Sequence, residues 1–392
     1  MQTEITLLLT ISLIIWGAPF IAKLVRIPTI PIEIMLGSIL AFAGLLQYHE
    51  YFDIVAEVGF LYLMFLAGME VDLKQITKSP KSLIQKAMLF IVTLGALALG
   101  SGILLDLNII VIISLPLISI GILASLSKSY GKDEEWIKLA FIVGVLGEII
   151  SIAALTVVDA VSSVGFGLEL FIKLGYLFLF ILGIYLLYRM LHLLFWWYPE
   201  LKTALLPKMD TSDQDVRLSI ALFFILISLM LVLDLELALG TFIAGVAISA
   251  FFHHEKRLEE KMSSLGFGFL VPLFFIHVGA SFDLIAVTYP GVVSGALLIT
   301  GLMIGIRLIA GVYLKSIYGS RVAILTSLSL SMPLTLLIAV ATIGHNVSFI
   351  DTITYYQLIL ASLFEVIISM LAIKLLSKKL NETKIEDQKH AE

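Results

Sequence analysis

Few ionisable residues in this chain fall in the middle of its long apolar runs, and those few define the chemistry open to it. Glu148 is the sharpest, within Gly144-Val145-Leu146-Gly147-Glu148-Ile149-Ile150-Ser151. A carboxyl group stranded at membrane depth is costly and is a functional hypothesis by default. Such a group can hold either a dehydrated cation or a proton, and competition between the two at one site is the minimal chemistry of an exchanger. The plainer alternative is a carboxyl satisfied by a buried hydrogen-bond network that holds helices together. Gly144 and Gly147 let a neighbouring backbone come close. Arg307, within Met303-Ile304-Gly305-Ile306-Arg307-Leu308, stays protonated and needs an acid or helix carbonyls as partner. Glu148 is the candidate acid; the alternative is that the long side chain snorkels to the interface about two turns away.

Glu365, central in the last apolar run, is either a second site or a structural partner for Arg307. Ser151 is a further secondary candidate. His277, near the end of its run, reads as a hydrogen-bonded packing residue or as a pH sensor. Glu33, Glu70 and Asp72 lie near run ends, where a solvated or gating role is expected. His253-His254 is an interfacial pair without nearby acids and does not read as a metal site. The chain has no cysteine, so disulfides, thiolate ligands and thiol catalysis are excluded. No nucleophile–base pair or metal-ligand cluster is legible either, and neither an enzyme nor a cofactor is expected.

The elements that must position these residues are helices in a bilayer. The 392 residues are 60% hydrophobic and 14% charged. A soluble chain is about half apolar and about a quarter charged. Apolar runs long enough to cross a membrane recur from end to end. The first, about 5–21, lacks a cationic leader region and a small-residue cleavage site, and reads as a span. Breaks divide the chain into about thirteen spans, at 4–22, 29–48, 53–71, 83–105, 109–127, 135–158, 168–192, 214–233, 236–252, 264–280, 291–314, 321–343 and 353–377. Lysines and arginines crowd every second loop: Lys23 and Arg26, Lys74 to Lys81, Lys128 and Lys132, Lys202 and Lys208, Lys256 to Lys261, Lys315 and Arg321, and the tail from Lys378. The intervening loops carry acids such as Glu50, Asp106, Asp234, Asp283 and Asp351. The positive-inside rule then sets the N-terminus outside and the C-terminus in the cytoplasm. The longest loop, about 193–213, is too short to fold alone, and the polar tail from Leu380 to Glu392 is expected to be disordered. The basic residues form no face for nucleic acid.

Two spans carry helix breakers near their centres: Ser114-Leu115-Pro116-Leu117-Ile118-Ser119-Ile120-Gly121 in the fifth and Ser329-Leu330-Ser331-Met332-Pro333-Leu334-Thr335 in the twelfth. Proline alone often means only a kink. Spans four to six and eleven to thirteen are seven apart and so oppositely oriented, each triplet broken in its middle helix. That is what an inverted repeat produces, with unwound backbone at the midplane free to face ions.

Four stretches resemble the cation:proton antiporter-2 family. They are Phe65-Leu66-Ala67-Gly68-Met69-Glu70-Val71-Asp72, Leu239-Gly240-Thr241-Phe242-Ile243-Ala244-Gly245, Pro272-Leu273-Phe274-Phe275-Ile276-His277-Val278-Gly279, and Ser119-Ile120-Gly121 followed by Glu148. The resemblance implies an all-α membrane fold of thirteen helices with two broken, crossing helices. It implies a core mainly over 83–158 and 291–377, a dimerisation scaffold mainly over 4–71 and 168–280, and a short tail at 380–392. By the same resemblance Glu148 stands where the family has its ion-binding aspartate, Arg307 where it has a facing lysine or arginine, and Ser119 and Gly121 in the unwound stretch.

Three departures bear on stoichiometry and selectivity. Gly147 replaces the first of two adjacent aspartates found in electrogenic members, Ile118 replaces a threonine, and Ser331-Met332-Pro333 replaces a glutamine/glycine/glutamate stretch. One titratable acid with a permanent counter-charge predicts electroneutral exchange of one cation per proton. Sodium, lithium and potassium are not distinguished. The chain also ends without the nucleotide-binding domain of ligand-gated potassium efflux relatives, which argues against that regulation. The expected partners are the transported monovalent cation, protons and the lipid of a cell membrane, with a homodimer implied by the family alone. The rival readings are a transporter of an organic anion, whose carboxylate Arg307 would bind, and a membrane enzyme or sensor.

Overall fold

The computed structural model describes residues 2–25, 28–46, 49–69, 79–131, 133–164, 168–198, 213–233, 237–251 and 256–391. Among them the chain is helical, with no strand. In chain order the helices are α1 (Gln2–Val25), α2 (Thr29–Phe42), α3 (Glu50–Met69), α4 (Lys81–Leu104), α5 (Ile109–Ser114), α6 (Leu123–Tyr130), α7 (Glu135–Val164), α8 (Leu168–Trp197), α9 (Gln214–Val232) and α10 (Leu237–Phe251). There follow α11 (Lys256–Leu265), a π-helical turn (Gly266–Leu270), α12 (Val271–Ser281), a 3₁₀ turn (Leu284–Thr288), α13 (Val292–Ala310), α14 (Val312–Tyr318), α15 (Ser320–Ser329), α16 (Leu334–Asn346) and α17 (Thr352–Ala391).

Each of the expected spans holds helix. Among the described residues, eight helical segments are long and apolar enough to cross a bilayer alone, and Ser320–Ser329 with Leu334–His345 makes one more, bent by 42°. The protein is a multi-pass membrane protein of the all-α class. Two boundaries differ from expectation. The second span stops at Phe42 and not near 48, because Gly44 takes a left-handed backbone (φ 76°). There the Leu45 N–H bonds the Leu40 carbonyl at 2.9 Å and closes the helix end. The tail expected to be disordered is helical to Ala391. Residues 378–391 contain neither glycine nor proline and several strong helix formers, so α17 meets no stop signal.

The chain divides into two compact units. One comprises 1–18, 33–74 and 155–281. Its contacts rest on glycines that let main chains touch: a Cβ on Gly68 would strike the Phe242 carbonyl, and one on Gly245 would strike that of Phe65. Gly37 and Gly279 do the same between α2 and α12, against Ile276 and Ile34. Without water between helices, this closeness is what holds apolar segments together in lipid. The second unit comprises 19–32, 75–154 and 282–392 and contains both broken spans.

Candidate functional site

Both proline-bearing spans are unwound. Regular helix stops after Ser114 and resumes at Leu123, and stops again after Ser329 to resume at Leu334. Pro116 and Pro333 lie within these breaks. Neither proline offers an N–H, and each break leaves main-chain groups that must be satisfied inside the protein, since lipid supplies no partner.

Side chains from neighbouring helices meet that need. The Ile118 N–H donates to Ser151 Oγ at 2.9 Å, and Ser151 Oγ donates to the Gly147 carbonyl at 2.7 Å. The Ile120 N–H reaches Glu148 Oε2 at 3.4 Å, and Ser119 Oγ donates to Glu148 Oε1 at 3.1 Å. Ser119 Oγ also meets Thr335 Oγ1 at 3.3 Å, so the two breaks touch through their hydroxyls. The Gly121 N–H turns back to Ser119 Oγ at 3.4 Å and does not reach Glu148. Glu148, Ser119 and Thr335 are all buried. The result is a carboxyl group bonded to the Ser119 hydroxyl, with the Thr335 hydroxyl next in line, a chain of oxygens suited to a small hard cation. Thr335 sits in the first turn of α16, where the helix N-terminus carries partial positive charge.

Thr335 was not singled out by sequence. Its signal was symmetry, since it stands two residues after Pro333 much as Ser119 stands three after Pro116. Gly144 and Gly147 are close-packed as expected, but against side chains and not a neighbouring backbone. A Cβ on Gly144 would meet Ile120 Cγ2 at 2.7 Å and Leu330 Cδ2 at 3.2 Å, while one on Gly147 would strike Ile118.

Arg307 does not pair with Glu148. Among the described residues its acid is Glu365, whose Oε1 lies 3.5 Å from Nη1. Nη1 donates to the Met303 carbonyl at 2.7 Å, Nε to Leu330 at 3.1 Å, and Nη2 to Leu117. Leu117 and Leu330 belong to the two breaks, where carbonyls at the ends of α5 and α15 concentrate negative charge. The guanidinium therefore ties both breaks together, and its fully buried position excludes snorkelling. The expected pairing failed because sequence gives no distance between residues on separate helices.

His277 lies in the other unit. Its Nε2 is 2.6 Å from Asp53 Oδ1, and its ring stands edge-on to Phe52. Glu33 is buried in α2. Glu70, Asp72, His253 and His254 lie outside the described residues.

Comparison with known proteins agrees with this architecture. The chain is 24% identical to YjbQ of Bacillus subtilis over 96% of its own length, and spans 64% of the length of that protein. It is 25% identical to the Na(+)/H(+) antiporter of Enterococcus hirae, over 92% of this chain and 94% of the other. Its fold matches the solved structure of the sodium proton antiporter MjNhaP1 from Methanocaldococcus jannaschii, with a TM-score of 0.69 at 15% identity over 96% and 98% of the two chains. The transmembrane sodium/hydrogen exchanger family matches residues 8–379. With nearly its whole length so matched and two broken helices meeting at a buried acid, the chain belongs to the sodium/hydrogen exchanger family.

Proposed function

We propose that this protein is a secondary antiporter that exchanges a monovalent cation for protons by alternating access, with Glu148 as the group for which the two compete. The observation that carries the reading is the buried Glu148 carboxyl accepting from Ser119 in the first break, with Ser119 in turn meeting Thr335 at the start of α16. The cation takes the place of the hydrogen bonds that Ser119 and the Ile120 N–H give the carboxylate, and a proton replaces the cation when the site faces the acidic side. Ser119 and Thr335 serve as neutral ligands; Ser151 holds the unwound Ile118 N–H and acts as a positioning residue. Arg307 fixes the breaks. The Enterococcus and Methanocaldococcus proteins are named as sodium/proton antiporters, which supports sodium as the first cation to test.

One acid in the site favours one cation per proton. The space where a second carboxylate would stand, at Gly147, is filled by Ile118. We assign the exchanger core to 83–158 and 291–377 and the dimerisation scaffold to 4–71 and 168–280, with the N-terminus outside, the C-terminus cytoplasmic, and a homodimer in the cell membrane. Organic-anion transport gains no support, because Arg307 is engaged by three main-chain carbonyls and Glu365.

The test is purified protein in liposomes with a trapped pH dye and an imposed proton gradient. Adding sodium, lithium or potassium should release the gradient in wild type, and Glu148→Gln should reduce this to background. Proton movement that ignores every cation would sink the antiport reading, and full activity in Glu148→Gln would sink the site.

A further inference from the structure

Glu365, on α17, is as deeply enclosed as Glu148 but stands outside the Glu148–Ser119–Thr335 group. Its Oε1 meets Arg307 only at 3.5 Å, the outer limit for a hydrogen bond, and its Oε2 has no hydrogen-bond partner. Ser369 lies one turn further along the same face of α17, and its hydroxyl is also fully enclosed and without a partner. A permanently ionised carboxylate in such a place calls for a close counter-charge and donors on both oxygens. A carboxyl group that takes up a proton needs far less. A proton would make Oε2 a hydroxyl donor, and one bridging water would link it to Ser369 Oγ.

Arg307 points the same way. Its guanidinium already donates to the Met303, Leu330 and Leu117 carbonyls, so three of its N–H groups keep their partners without Glu365. The pair is not a bidentate ion pair, and when Glu365 loses its charge these carbonyls remain to hold the arginine. Arg307 is the only charged residue of α13. On the other helices packed against α17, Arg321 stands in the first turn of α15 and His345 in the last turn of α16. Along α17 itself the nearest titratable groups are Tyr356 and Lys374, each about 13 Å away along the axis. Arg307 is the one ion pair of Glu365 among the described residues.

We propose that Glu365 and Ser369 form a second, proton-only site, separate from the exchange site and coupled to it through Arg307. With Glu365 ionised, its charge draws on the guanidinium. With Glu365 protonated, that pull is gone and Arg307 answers only to the carbonyls, so its grip on Leu117 and Leu330 tightens. The proton thereby sets the geometry of the crossing that carries Ser119 and Thr335. The transport consequence rests on the antiport reading; the proton site itself does not.

Infrared difference spectra between acid and alkaline pH test this directly, since a protonated carboxyl has its own C=O stretch. Two of the bands in liposomes should belong to Glu148 and Glu365, beside those of Glu33 and the exposed carboxyl groups. Glu148→Gln should remove the one that sodium displaces, and Glu365→Gln should remove the other. Ser369→Ala, which deletes only a hydroxyl, should shift the second band, and it carries the test if Glu365→Gln does not fold. In flux assays Glu365→Gln should also displace the pH midpoint of exchange. Spectra in which neither Glu365→Gln nor Ser369→Ala changes any carboxyl band would overturn the site. Exchange without the second band would leave antiport standing and remove this inference. The second band without any exchange would do the reverse.

Discussion

At the scale of single residues, the two departures at Gly147 and Ile118 are one feature. A side chain at 147 and the isoleucine at 118 claim the same volume, so an acid cannot be restored at 147 while Ile118 stays. Gly147→Ala alone should cost about 1–3 kcal/mol through overpacking. Paired with Ile118→Ala, most of that cost should vanish in a double-mutant cycle of thermal unfolding in detergent; additive costs would show the two positions to be independent. Thr335 offers the cleaner test of ligand geometry. Thr335→Val exchanges the hydroxyl for a methyl group of similar size and should raise the apparent KM for the cation about tenfold, equivalent to about 1.4 kcal/mol, with little change in folding. An unchanged KM would remove Thr335 from the site. Glu148 was legible because an acid is anomalous in an apolar run, both prolines because they break the middle helix of two oppositely oriented triplets, and Ser119 through the family resemblance. Thr335 was not, because threonine is ordinary in a membrane helix and only its contact with Ser119 marks it.

At the scale of elements, the breaks stay open because their backbone is satisfied from the side. Arg307→Ala would leave the Leu117 and Leu330 carbonyls and the Glu365 carboxyl enclosed without it, at a cost of about 3–5 kcal/mol. Arg307→Lys keeps the charge but not the fork that spans both breaks, and should fall between alanine and wild type in thermal stability. Helix ends carry a separate pH dependence. Asp351 starts α17 by accepting from the Thr354 N–H at 2.9 Å. Hydrogen bonds from the Thr354 side chain and backbone hold its carboxyl below the usual carboxylate range. Its contribution is therefore present above that usual range and lost as pH falls through the lowered value. Asp351→Ala should cost about 1 kcal/mol at neutral pH and nothing in strong acid, read by thermal unfolding at each pH. The sequence stretches that carried the family resemblance have a structural meaning that spacing could not disclose. Gly68 and Gly245 each press on the main chain of the other's helix, so two of the motifs are opposite sides of one contact and not parts of the ion site.

At the scale of the whole molecule, the alternation of charged loops and apolar runs made the span count readable from sequence, since one missed span would have reversed every later loop. The break in the twelfth span was readable from Pro333, but its 42° bend was not, because the angle depends on the packing around it; the helical tail was misjudged from its polarity, although it holds no helix breaker. One cation for one proton makes a prediction that only the intact protein in a sealed bilayer can meet. A transported net charge would couple to voltage at about 2.3 kcal/mol per 100 mV. The sodium-driven proton flux should therefore be the same at clamped potentials of either sign, and a rate that follows voltage would refute the one-for-one stoichiometry.

The grip of Arg307 on distant carbonyls also constrains how the protein is made. Synthesis runs from the N-terminus, so Leu117, 190 residues upstream, is already in the membrane when Arg307 leaves the ribosome. Leu330 and Glu365 are still 23 and 58 residues from being translated. An arginine at the centre of an inserting segment costs about 2.5–3.5 kcal/mol, and one in the last turn, as Arg307 is in α13, costs less. Among its partners only the Met303 carbonyl of its own helix and Leu117 of the earlier broken helix precede it in synthesis, so these are the first acceptors for its charge.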